Sequence, residues 1–104
     1  MRMIDESADG TTIGLGVGEA VELRLPENAS TGFRWQLREG GAPACRTSEA
    51  DRGAPAGAPP GQGGTHAWRI EGAQPGIGDL ALDFGRPWES ASVRRFRLRV
   101  RVGD

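Results

Sequence analysis

Arg95-Phe96-Arg97-Leu98-Arg99-Val100-Arg101-Val102 alternates charge and hydrocarbon without a break. A β-strand turns successive side chains to opposite faces, so Phe96, Leu98, Val100 and Val102 share one side and the arginines the other. One face is made for a core and the other for water. Toward the N-terminus the same two-residue period recurs. Leu80, Leu82 and Phe84 alternate with Ala81 and Asp83, and Phe33, Trp35 and Leu37 with Arg34, Gln36 and Arg38. Val21, Leu23 and Leu25 alternate with Glu22 and Arg24, and Pro26, which has no N–H for a ladder, is expected to end that strand. His66, Trp68 and Ile70 are assigned one face of a further strand, in which Ala67 blurs the period. Weaker patterns give a first strand over Thr11 to Val17 and a short one over Cys45 to Ala50.

Turn-forming residues punctuate these runs at Pro26 to Gly32, Glu39 to Pro43 and Glu71 to Gly78. The longest such stretch, Gly53 to Gly64, has Gly or Pro at eight of its twelve positions and reads as a loop. With 17 glycines and 7 prolines in 104 residues, a helical bundle is excluded. The length suits a single core. Six to eight short strands, each with one apolar face, predict an all-β fold, an immunoglobulin-like antiparallel β-sandwich. Residues 1–10, acidic at Asp5, Glu6 and Asp9, are expected as a flexible N-terminal tail, and residues 11–104 as the one domain.

The charge balance is nearly even, 13 basic residues against 14 acidic, so no global field draws the protein to nucleic acid or to an anionic membrane. Every basic residue is an arginine, which excludes a P-loop lysine and Schiff-base chemistry. No apolar run reaches the length of a signal peptide or a membrane span. Compartment stays open between the cytoplasm and export with a leader removed. Cys45 is the single cysteine, so neither an internal disulfide nor a CxxC site can form.

Cys45 and His66 could in principle make a thiol–imidazole pair, but no motif surrounds either residue. One histidine and one cysteine fall short of a metal-ligand set, and Ser30 lacks a GxSxG context. The expectation is therefore no catalytic residue, no metal, no cofactor and no enzymatic activity. The arginine face of Arg95 to Arg101 lacks interleaved aromatics for base stacking. It reads as a solvated face paired with acids of neighbouring strands, such as Glu22. Trp35 and Trp68 sit in alternating strands and are assigned to the core. Trp88 follows Arg86-Pro87 on a loop, where a stiff backbone carries the residue types enriched at binding hot spots.

Three loop motifs in order carry a family resemblance. Leu25-Pro26-Glu27-Asn28-Ala29-Ser30-Thr31-Gly32-Phe33-Arg34-Trp35 resembles the Asn-Pro-Thr-Thr-Gly-Tyr/Phe-x-Trp signature of the chagasin-like inhibitors of papain-family cysteine peptidases. Gly61-Gln62-Gly63-Gly64 is similar to that family's Gly-x-Gly-Gly loop, and Gly85-Arg86-Pro87-Trp88-Glu89 to its Arg-Pro-Trp-Glu loop. The likeness runs from about Val17 to Val102. Ala29 stands where proline is usual and Ser30 where the first threonine is usual. The resemblance implies an immunoglobulin-like sandwich that inserts three loops of one end into a peptidase cleft, without cofactor or metal. On this chain the protease-binding residues would be Asn28, Ala29, Ser30, Thr31, Gly32 and Phe33 as the central wedge. Gly61, Gln62, Gly63 and Gly64 would flank it on one side, and Arg86, Pro87 and Trp88 on the other. A reversible, tight-binding, monomeric inhibitor is the expected function. The alternative is an immunoglobulin-like interaction module with a non-protease partner, and a nucleic-acid binder built on the arginine strand comes third.

Overall fold

The computed structural model describes residues 2–27, 32–51, 64–86, 88 and 93–103. The strands are β1 (Arg2–Ile4), β2 (Thr11–Gly16), β3 (Ala20–Glu27), β4 (Arg34–Gly40), β5 (Cys45–Asp51), β6 (Gly64–Gly72), β7 (Gly76–Gly85) and β8 (Arg94–Gly103). They form two four-stranded sheets, ordered β1-β3-β6-β5 and β2-β8-β7-β4, stacked as an immunoglobulin-like sandwich. The β8 alternation holds as written in the sequence, with Phe96, Leu98, Val100 and Val102 buried and each intervening arginine exposed. Val21, Leu23 and Leu25 of β3 are fully buried, and Trp35 and Trp68 lie in the same core. Burial of each large side chain stabilises the sandwich by about 1.5–3 kcal/mol.

The N-terminal segment differs from the expected tail. Arg2–Ile4 pairs in parallel with Val21–Leu23, and Ile4 packs against the core. Asp5 then caps a one-turn 3-10 helix at Glu6–Ala8, accepting from the Ser7 N–H at 2.9 Å and its hydroxyl at 2.6 Å. The Asp9 carboxylate accepts the Arg97 N–H at 2.9 Å, and Glu6 pairs with Arg94. These contacts fix the crossing from one sheet to the other, where β2 runs parallel to β8. The sandwich is antiparallel except at these two pairs, whose partners are distant enough in the chain for parallel pairing.

Three smaller expectations are also corrected. β3 does not stop at Pro26, which pairs in register with Thr65. Beyond Leu23 β3 is no longer paired with β1, and the Pro26 carbonyl accepts the Trp35 indole N–H at 3.0 Å. The turn expected over Glu71 to Gly78 shrinks to Ala73–Pro75, because β6 and β7 extend into it. Glu22 does not serve the arginine face; it pairs with Arg24 of its own strand at 2.6 Å. The acids that do so are on β7, where Asp83 bonds Arg95 at 2.7 Å and Asp79 bonds Arg99 at 2.9 Å, each directly across the ladder. Arg38 of β4 adds a second guanidinium to Asp83 at 3.1 Å. The Arg95 hydrogen bond, and then Arg38, hold the Asp83 carboxyl below the ordinary carboxylate range.

A Cys45–His66 pair does not form. Cys45 lies opposite Gly72 on β6, and the six residues back to His66 span about 20 Å of strand. Burial pushes the Cys45 thiol up, away from the reactive thiolate.

Candidate functional site

The three motif loops spring from strand ends that meet. Glu27, the last residue of β3, pairs with Gly64, the first of β6, while Arg34 at the start of β4 pairs with Gly85 at the end of β7. Arg94, which opens β8, pairs with Phe84. Trp35 joins the two sheets at this end, since its backbone N–H donates to the Glu27 carboxylate at 2.7 Å and its indole N–H to Pro26. Connections 28–33, 52–63 and 86–93 therefore leave from one pole.

Of the candidate residues, Asn28, Ala29, Ser30, Thr31, Gly61, Gln62, Gly63 and Pro87 lie outside the described residues. Gly32, Phe33, Gly64, Arg86 and Trp88 are described, and the structure gathers them. Gly32 has a φ of +77°, a conformation open to glycine at little cost. The Trp88 indole lies directly over it, so a Cβ there would come within 2.7 Å of the ring. The Arg86 guanidinium stacks over Phe33 at 4.5 Å and stands 5.9 Å from the Trp88 ring. Phe33 stacks on Phe84 at 5.5 Å, and Phe84 meets Trp35 at 4.8 Å. The Arg94 guanidinium stands over the Trp35 ring at 5.7 Å. A continuous series of rings and guanidinium planes thus runs from the buried core to Trp88, which is 71% exposed.

Beneath this tip lies a buried polar group of side chains that the sequence reading did not single out. Glu27 and His66 are both nearly inaccessible, with Glu27 Oε2 at 3.1 Å from His66 Nδ1. His66 Nε2 is 2.6 Å from Glu49 Oε1, and its ring stacks on Trp68 at a centroid distance of 3.8 Å. A signal for Glu27 was present. It is in phase with Val21, Leu23 and Leu25, so continued alternation puts a carboxylate on the core face. A buried carboxylate needs partners, and Trp35 and His66 supply them. Among the described residues no group of His, Cys, Asp and Glu could hold a metal ion.

Residues 15–100 match the family model described as chagasin family peptidase inhibitor I42. Amoebiasin-1 from Entamoeba histolytica is 36% identical over 104 residues, covering 95% of this chain and 97% of the relative. Chagasin from Trypanosoma cruzi is 32% identical over 102 residues, covering 93% of this chain and 92% of the relative. The solution structure of Amebosin superposes with a TM-score of 0.77 at 30% identity, covering 99% of each chain.

Proposed function

The chain belongs to the chagasin family of peptidase inhibitors and is an inhibitor of cysteine peptidases, not an enzyme; from that premise we propose that it plugs the substrate cleft of papain-like peptidases with the three loops of one pole. Residues Asn28 to Phe33 act as the wedge, Gly61 to Gly64 line one wall of the cleft, and Arg86, Pro87 and Trp88 grip the other. The observation that carries this reading is the Trp88 indole, mostly exposed yet seated on Gly32, which brings one residue of the wedge against one of the third loop. Covering that ring would remove on the order of 150 Å² from water, worth about 3–4 kcal/mol before ordering costs. Those costs are limited because each loop is rooted in paired strands and the Arg86–Phe33–Phe84 stack props the tip in advance.

No covalent step is required. The protein acts as a monomer against one peptidase, reversibly, and the wedge escapes cleavage by lying outside attack geometry in the cleft. Titration into a papain assay tests the reading. Activity is expected to fall linearly and vanish near one equivalent of inhibitor. Unchanged hydrolysis across several papain-like enzymes would overturn it and leave the family fold serving another partner.

A further inference from the structure

His66 ties together the roots of two of the three loops. Glu27 ends β3, where connection 28–33 begins, and Glu49 lies two residues before Asp51, which ends β5 at connection 52–63. His66 itself is in the first turn-facing part of β6, opposite Leu25. Both ring nitrogens face carboxylate oxygens, at 3.1 Å and 2.6 Å. An ionised carboxylate only accepts hydrogen bonds, so both contacts are satisfied together when both ring nitrogens carry hydrogen. That is one proton more than a neutral imidazole holds.

We propose that Glu27, His66 and Glu49 form a proton-dependent clamp that sets the two loop roots, so that cleft binding weakens as the trio loses its proton. With the proton in place, buried Glu27 has an opposite charge beside it while its Oε2 holds the Trp35 N–H. When the proton leaves, one nitrogen presents a lone pair. Glu49, whose side chain is 56% exposed, can turn into water, but Glu27, 2% exposed, cannot. Glu27 is left as a buried anion without a countercharge, which loosens its hold on Trp35, and the end of β5 loses its side-chain tie to β6. Among the described residues, the charged groups facing the ring are Glu27 from β3 and Glu49 from β5. Arg34 of β4 lines the same 360 Å³ cleft beside Trp35 and Trp68. Glu27 and His66 are positioning residues, since neither is at the exposed tip.

The loss of cleft binding rests on the inhibitor reading above, so the test has two arms. The first uses the inhibitor alone and follows the Trp35 backbone amide and the His66 ring by NMR between about pH 5 and about pH 8. The two signals are expected to titrate together, and the Trp35 change should disappear in His66→Gln. A Trp35 amide that stays still while His66 titrates would overturn the clamp. The second arm measures Ki against papain for wild type and His66→Gln at each pH, a ratio that cancels the titration of the peptidase itself. Wild type is expected to lose about five- to tenfold more affinity across the range than the variant; a constant ratio would overturn the clamp. Should His66→Gln fail to fold, Glu49→Gln at the exposed rim replaces it in both arms and is expected to shrink the pH response, with an undiminished response counting against the clamp. If wild type inhibits papain at no pH, the inhibitor reading falls, and the amide titration alone decides the clamp.

Discussion

Trp88 and Trp35 stand at opposite ends of one series of ring contacts, and their environments assign them different work. Trp88 is 71% exposed and Trp35 only 3%. Trp88→Ala is therefore expected to weaken peptidase binding by about 1–3 kcal/mol, while the melting temperature stays at the wild-type value. A large drop in melting temperature would make Trp88 a structural residue instead. Trp35→Ala should do the converse, lowering unfolding free energy by about 3–5 kcal/mol, since it leaves a cavity and strips the indole N–H from the Pro26 carbonyl. Chemical denaturation of the purified variant measures this, and wild-type stability would contradict the packing described. At Gly32, alanine must adopt a φ of +77° and push against the Trp88 ring. Gly32→Ala is expected to cost about 1–2 kcal/mol of stability and to displace the indole, which a shift in Trp fluorescence and a weaker Ki would register together.

At the scale of the strand, the outer face of β8 gives an acid-sensitive contribution. Asp83 has its carboxyl held below the ordinary value of 3.8 by Arg95 and Arg38. A depressed carboxylate stabilises the fold above its unfolded value and stops doing so as pH falls through its folded value. Asp83→Asn should therefore lower the melting temperature near neutrality and flatten its further loss below about pH 4. An unchanged acid slope would show that the pair contributes nothing measurable. Elements of this kind were legible wherever period-two alternation was long, as in β8 and in Leu80–Phe84 of β7. Boundaries were less so, for reasons that belong to neighbouring strands. Pro26 reads as a stop in isolation and is tolerated because β1 ends at Ile4, a fact of pairing that no local pattern carries. Residues 2–10 read as a tail because their order comes from Arg94, Arg97 and β3, far away in the chain.

For the molecule as a whole, the proposed inhibitory pole depends on which strand ends are neighbours. Glu27 against Gly64, Arg34 against Gly85 and Phe84 against Arg94 bring three distant connections to one end. The motifs named the tip residues Gly32, Phe33, Arg86 and Trp88 in the sequence, because exposed loops carry few structural constraints that would mask a binding pattern. Their support was harder to read. Glu27, His66 and Glu49 come from three strands, and their meeting depends on register across β3, β6 and β5. This pole is proposed to occupy the substrate cleft. Its most direct test is binding, by calorimetry, to papain whose cleft has been filled by a covalent peptidyl inhibitor. Occupied papain is expected to bind the protein at least about a hundredfold more weakly than free papain, a loss of about 2.7 kcal/mol; equal affinity for the two forms would contradict the account.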